Sequence, residues 1–513
     1  MNLFQAIFTN KPSSIAILHK DREITYGDLQ VETLKTAGAI TSLGIRPGDR
    51  VALLLHDSPE FIEAFIAICS LGAITVPINM ALPVEDQRSI LHNSGARLAL
   101  MEDDIRHTLL TGASEKLRQL QEIVVLEQTE ERGLKYLRQL KGEAQASQLS
   151  DFPEPETDQP AFILYTSGST GEPKGAVHSQ ANIFHTNQSF CREVLKLTSG
   201  DRLFSSSRLP FAYGFGNSCS FPLLNGATTI LCKEKPNPDV IDRVFSESRP
   251  TIFFGVPVVY NLLLEHHRSV KKLDCSSLRM CVSAGEALPS HLGEKWEEEF
   301  GVPLLDGIGS TEMLHMFMSN HENDICYGSS GKLLAGYEAQ LRNEQGEPAQ
   351  RDEGNLWIKG ASAALGYWQR PEETKRTFVD GWVRTGDLYR RDDQGFWFHL
   401  GRSDDCFKSS GQWVSPVEVE GVLIRHERVR SVAVVEDFDS DGLPCACAFV
   451  VCDEVESDTS LIEKELGELA NGSLPRFKRP KRYVFVKELP YTATGKVQRF
   501  KLRQGLRDAA RAT

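Results

Sequence analysis

"YTSGSTGEPKGAVHS" (residues 165–179) is the stretch on which the reading of this chain turns. Ser, Thr and Gly run unbroken from Thr166 to Gly171, and Lys174 follows three positions later. Donating hydroxyls, glycines that let the backbone come close and one ammonium together make a cradle for phosphate. A P-loop would require GxxxxGK followed by Ser or Thr, with the lysine opening a helix. Here Gly168 to Lys174 reads G-S-T-G-E-P-K, and the next residue is Gly175. Pro173 has no N–H and fixes its own φ, so the nest of amides cannot be the same one. A plain Gly/Ser surface loop is the alternative, but the apolar run "AFILYT" directly before it points to a loop carried by a strand. The candidate phosphate contacts are Thr166, Ser167, Gly168, Ser169, Thr170, Gly171 and Lys174.

On either side of this loop, strand and helix patterns alternate. "DRVALLLH", "SPEFIEAFIAICSLG" and "AITVPIN" read as buried strand, helix and strand, and "ITYGDLQVETLKTAGAITSLGI" as a strand running into a helix. Downstream, "TTILCK", "NPDVIDRVFSES", "TIFFGVP", "VVYNLLLEHHRSV", "LRMCVSAG" and "GVPLLDGIG" continue the series. Such alternation predicts mainly parallel sheets covered by helices. Residues 128–160 are polar and read as a surface connection. From about residue 340 the pattern becomes β-rich, and "GRSDD" (401–405) is a polar break before a further α/β series. The expected division is residues 1–403 and residues 404–513.

With 513 residues, 41% of them hydrophobic, the chain is long enough for about three folding units. Its net charge of −13 excludes the basic footprint that general nucleic-acid binding requires. Eleven cysteines without a CxxC pair predict reduced core thiols and a cytoplasmic setting rather than a disulfide frame or zinc site. "AFIAICSLGAITVPI" is brief and broken by Gly72 and Pro77, so it reads as a buried helix and strand, and no membrane association is expected.

Five motifs follow one another: "TSGSTGEPKG", "GIGSTE" (307–312), "GWVRTGD" (381–387), "GRSDD" (401–405) and "LPYTATGKVQR" (489–499). In this order, over nearly the whole chain, they resemble the acyl-adenylate-forming superfamily of acyl-CoA synthetases, adenylation domains and luciferases. "GIGSTEMLHMFMSN", "FAYGFGN" and "KSSGQWVSPVEVE" look most like benzoate-CoA ligases and related aryl-CoA ligases. The resemblance implies an α/β fold. A large N-terminal domain of α/β subdomains plus a β-rich subdomain would precede a small mobile α+β C-terminal domain.

It also implies roles. Glu312, a hard oxygen ligand, would bind Mg²⁺, and Thr311 would touch the α-phosphate of ATP. Asp387 would take the ribose hydroxyls, assisted by Arg402. Gly285, Glu286 and Ala287 would lie along the adenine, with Asp306 accepting from its amino group. Ile308 stands where many relatives carry a stacking aromatic. Lys496 would bridge the substrate carboxylate and the α-phosphate. The C-terminal domain would then turn about Asp404, so that Ser409, Ser410 and Gly411 line the tunnel for the thiol of coenzyme A.

Ala212, Tyr213, Leu314, His315 and Met316 match aryl-pocket positions. "LPFAYGFGNS" (209–218) has no acidic residue to pair with an α-ammonium, which disfavours an amino-acid substrate. The expected activity is therefore an ATP- and Mg²⁺-dependent aryl-acid:CoA ligase acting on benzoate or a substituted benzoate such as anthranilate. Delivery to the phosphopantetheine of an acyl carrier protein remains the main alternative, ahead of a luciferase-like oxidase or a non-catalytic nucleotide-binding protein. A homodimer is left open.

Overall fold

The computed structural model describes residues 2–512 except 113–116, 118, 128–133, 149–150, 168–172, 351, 440, 453–458 and 492–496. The chain divides into two compact units, residues 1–338 with 358–383, and residues 339–357 with 384–513. The divisions fall inside three strands, Tyr337–Arg342, Glu353–Gly360 and Trp382–Arg391. The division expected from the sequence, between residues 403 and 404, falls within the smaller of these units.

The larger unit is built on two sheets. In one, Arg50–Leu54, Ile74–Pro77, Leu98–Met101 and Glu122–Val125 pair in parallel. Their apolar runs are buried because helices cover a parallel sheet on both faces. The helix Pro59–Ser70 shows the local logic. Ser58 caps it by accepting from the Phe61 N–H, Pro59 opens it, and all but one of its residues are buried. That all-round burial, rather than a membrane, accounts for its apolar sequence. Among the described residues no helix is long and apolar enough to cross a membrane.

The second sheet runs from Lys332–Leu333 through Met316–Ser319, Leu304–Gly309, Met280–Ser283, Ile252–Gly255, Arg202–Ser205, Thr228–Leu231 and Ile15–His19 to Arg22–Thr25. Its interior pairs are parallel and its end pairs antiparallel. The α/β reading of the sequence holds for both sheets. Within 128–160, however, the described residues include a short strand, Lys135–Tyr136, and a helix, Leu137–Glu143. Tyr136 and Leu137 are buried, and Lys141 reaches Glu32 at 2.5 Å and Glu63 at 2.8 Å. This polar stretch is therefore anchored by the buried Tyr136, Leu137 and Phe152 side chains and by an ion-paired lysine.

The smaller unit carries a three-stranded sheet, Val429–Phe438, Pro444–Cys452 and Pro480–Phe485, with helices Pro416–Leu423, Ser460–Ser473 and Arg499–Ala512. Cys445 and Cys447 lie on its central strand, and all eleven cysteines are free thiols.

Candidate active site

The phosphate stretch begins and ends on two antiparallel strands. Pro160–Ser167 pairs with Pro173–Ser179, placing Thr166 opposite Lys174. Gly168, Ser169, Thr170 and Gly171 lie outside the described residues. A strand, not a helix, follows the lysine, which is why the P-loop pattern fails. Gly175 is required by its surroundings, since a Cβ there would lie 2.6 Å from Ile163 Cγ2 and 2.9 Å from Tyr165 Cζ.

The return strand is also paired to Gly366–Tyr367, with Tyr367 opposite Ala176. The Trp368 N–H adds a bond to Gly175 O at 2.7 Å. The Lys174 ammonium lies 5.8 Å from the centre of the Tyr367 ring.

Thr311 and Glu312 stand on a single tight turn after Leu304–Gly309. Ser310 Oγ accepts from the Met313 N–H at 3.2 Å and starts a short 3₁₀ turn, Thr311–Met313. The chain then reverses through Leu314 at φ +64°, ψ −41°, with His315 N–H bonded to Met313 O at 2.8 Å. That is a γ-turn of the strained, positive-φ kind, and a leucine occupies its centre.

Three backbone acceptors of this turn are held from outside it. Thr311 O accepts from His178 Nε2 at 2.8 Å, Glu312 O from Ala364 N–H at 2.7 Å, and Met313 O from Ser362 Oγ at 2.9 Å. A carbonyl can only accept, so His178 carries its proton on Nε2. Burial pushes this imidazole down to about 4, which keeps it neutral. The Glu312 side chain accepts from Tyr367 OH at 2.6 Å through Oε1. No ion pair reaches its carboxylate among the described residues, nor do three metal-ligating side chains cluster anywhere among them. A lone accessible carboxylate with no protein cage fits Mg²⁺, which keeps waters and takes phosphate oxygens as further ligands.

The same turn delivers His315 to the candidate acyl wall. Its ring is buried between Phe190, Tyr213 and Phe221, at centroid distances of 5.2, 5.6 and 4.6 Å. Nε2 faces Asn217 Oδ1 at 3.2 Å, and burial pushes the imidazole down to about 3. Two glycines shape the facing helix Ala212–Phe215 and its continuation. A Cβ at Gly214 would lie 2.1 Å from Arg208 O, and one at Gly216 would lie 2.4 Å from His315 Cδ2. Leu314 packs into the largest core cluster with Leu209, Phe215 and Cys219, and Ala212 lies against that cluster. Met316 is buried on the next strand, with Gly307 leaving room for its sulfur.

On the candidate adenine side, Met280–Ser283 leads into Ala284 and Gly285, whose φ of +94° suits glycine. Gly285 and Glu286 are exposed and Ala287 is half-buried. Asp306 is buried nearby: one oxygen accepts from the Leu288 N–H at 3.4 Å and Oδ1 has no hydrogen-bond partner. Burial pushes its carboxyl well above the usual range. The Tyr213 phenol donates to Val282 O at 3.0 Å. Burial, and then the nearby Asp306 carboxyl, push it upward too, so the acyl wall and adenine side adjoin.

In the smaller unit, Asp387 pairs in register with Arg402. Asp387 Oδ1 lies 3.3 Å from His399 Nε2 and 3.1 Å from Arg402 Nη1. Burial raises this carboxyl, but the His399 hydrogen bond and the Arg402 charge outweigh it and hold it below the usual range. Asp404 is exposed in a turn. Its neighbour Asp405 is bound by Arg503 at 2.9 Å and Arg499 at 3.7 Å. Ser409 is buried, while Ser410 and Gly411, at φ +51° and +75°, form the two-residue turn joining Phe407–Ser409 to Gln412–Val414. Lys496 lies outside the described residues. The chain on either side of it is pinned by the Tyr491–Val497 bridge and by Arg499, which grips Glu420 at 2.8 and 2.9 Å.

Residue-type motifs did not single out Tyr367, His178 or Asn217. Tyr367 sits in "GYWQRP" (366–371), whose paired aromatics beside glycine were the available signal. His178 lies inside the opening stretch itself.

The AMP-binding enzyme family model matches residues 4–368, and the AMP-binding enzyme C-terminal domain model matches residues 418–496. The benzoate–CoA ligase of Thauera aromatica is 39% identical over 482 residues, 93% of this chain and 90% of that protein. The crystal structure of the anthranilate CoA ligase AuaEII in complex with anthranoyl-AMP superposes with a TM-score of 0.93 at 34% identity, covering 99% of this chain and 98% of that one. A benzoate CoA ligase from Burkholderia xenovorans LB400 gives a TM-score of 0.88 at 36% identity, over 98% and 100% of the two chains. The chain belongs to the AMP-binding enzyme family.

Proposed function

We propose that this AMP-binding enzyme is an ATP-dependent aryl-acid:CoA ligase whose substrate is benzoate or a small ring-substituted benzoate such as anthranilate. The observation that carries this reading is the wall of Gly216, Tyr213 and His315. It is aromatic, narrowed by a glycine and free of formal charge, because burial keeps the His315 imidazole neutral. Similarity to benzoate and anthranilate CoA ligases supports it.

In the first half-reaction the aryl carboxylate oxygen attacks the α-phosphorus of ATP, and the bond to pyrophosphate breaks. Thr166 and Lys174 on the paired strands, with Ser167, Gly168, Ser169, Thr170 and Gly171 between them in sequence, hold the departing phosphates. Thr311 holds the α-phosphate. Glu312 would hold Mg²⁺, which neutralises phosphate charge when bound. Asp306 faces the adenine amino group with its unpartnered oxygen, beside Gly285, Glu286 and Ala287. Asp387 and Arg402 take the ribose, and Lys496 stabilises the charge that develops between carboxylate and phosphate. In the second half-reaction the thiol of coenzyme A attacks the acyl carbonyl and AMP leaves. Residues 404–513 move about Asp404 to present Ser409, Ser410 and Gly411.

Pyrophosphate exchange measured across benzoic, cinnamic, aliphatic and amino acids tests the reading. Benzoates are expected to lead, and medium-chain fatty acids outrunning every aryl acid would overturn it.

A further inference from the structure

We propose that Tyr367 is a positioning residue that presents the Glu312 carboxylate to a metal-bound nucleotide and keeps it from pairing with Lys174. This rests on the role given to Glu312 above. The phenol donates to Glu312 Oε1 at 2.6 Å, the length of a charge-assisted bond to a carboxylate. That bond fixes one oxygen and leaves the other to face a ligand.

The phenol itself has little freedom. Its residue is laddered to Ala176 on the strand that leaves the phosphate hairpin, and Thr374 Oγ1 accepts from its N–H at 2.9 Å. Phe378 packs edge-on against its ring at 5.5 Å. The backbone of Glu312 is tied to the same segment through Ala364. Carboxylate and phenol are therefore referenced to one rigid frame, which also carries Lys174.

The electrostatic consequence follows from the ring. The Lys174 ammonium lies 5.8 Å from its centre, and among the described residues neither Lys174 nor Glu312 enters an ion pair. A direct Lys174–Glu312 bridge would neutralise both groups before a nucleotide arrived. A neutral phenol satisfies one carboxylate oxygen without cancelling its charge, so an anionic phosphate meets a full ammonium and a cation meets a full carboxylate. Partners of this kind behind a metal ligand typically contribute about 10- to 100-fold in metal affinity.

The test is Tyr367→Phe, which keeps the ring and removes only the hydroxyl. Mn²⁺ binding in the presence of ATP, followed by electron paramagnetic resonance of the free ion, should weaken about tenfold. The Mg²⁺ concentration that half-saturates pyrophosphate exchange should rise in parallel. Thioester formation from supplied benzoyl-adenylate should stay within about twofold, since no phosphoryl transfer occurs in that step. Unchanged Mn²⁺ affinity in Tyr367→Phe, while Glu312→Gln loses it, would overturn the role of Tyr367. Unchanged affinity in Glu312→Gln as well would overturn the assignment of Glu312 itself. Equal loss in both half-reactions would mark Tyr367 as merely structural and overturn the proposal.

Discussion

Glu312 and Asp387 are both carboxylates at candidate nucleotide positions, one in each compact unit, and they are prepared in opposite ways. Asp387 is buried, with His399 at 3.3 Å and Arg402 at 3.1 Å already in place, and its carboxyl is held below the usual range. Glu312 is half-buried, receives one neutral phenol donor and pairs with no cation among the described residues. A carboxylate matched in advance has its charge neutralised and can offer geometry, which suits the neutral hydroxyls of a sugar. One left unmatched offers charge, which suits a cation. The surrounding donors, more than the residue type, separate the two roles.

The largest expected effect separates the units by half-reaction. Lys496→Ala should lower adenylate formation by about 10²–10³-fold. Thioester formation from supplied aryl-adenylate should survive, and equal loss in both steps would break the division of labour. Gly216→Ala acts only on the larger unit. The added Cβ would lie 2.4 Å from His315 Cδ2, and the cost of such overpacking is about 1–3 kcal/mol. Catalytic efficiency for the aryl acid should fall about 10- to 100-fold. The KM for ATP should not move; a matching rise in it would tie the acyl wall to the nucleotide side.

Asp387→Asn should raise the KM for ATP about tenfold, the loss expected for a charged hydrogen-bonding group. The Mg²⁺ requirement should stay put, in contrast with Glu312→Gln, and a shift in it would erase the distinction between the two carboxylates. The smallest effect is one of acid stability. The folded pKa of His315, about 3, lies below its unfolded value of 6.5. Its contribution is therefore complete above that unfolded value and is lost as pH falls toward 3. Asp387, whose pKa is depressed from 3.8, loses its contribution only below that value. Between pH 7.5 and 5.5, urea unfolding of His315→Phe should lose about 1.4 kcal/mol less than the parent chain. An identical loss in both would remove His315 as a source of acid lability.

Much of this was readable in the sequence because it is local. Parallel strands such as Arg50–Leu54 and Ile252–Gly255 show themselves as short apolar runs, and the turn residues Ser310 and Gly285 carry their own geometry. Tyr367 was not readable, because its partners Ala176 and Glu312 lie about 190 and 55 positions away and no spacing rule joins them. His178 looked like any strand residue until the fold set Thr311 O beside it. The strand and helix within 135–143 were missed because only Tyr136 and Leu137 are buried there.

The reversal at Leu314 bears on how the substrate range of this enzyme could be changed. His315 and Glu312 are separated by two residues on one strained turn, in which the Thr311, Glu312 and Met313 carbonyls are each bound, so the candidate aryl wall and the candidate metal carboxylate share one stretch of backbone. Under the roles proposed above, a library that varies residues 313–316 would perturb metal and substrate together and lose most variants to the first. Variation on the facing helix, around Ala212 and Asn217, would act on the same candidate wall from a segment that does not carry Glu312. Under the roles proposed above, selectivity would then vary without disturbing the turn that carries Glu312.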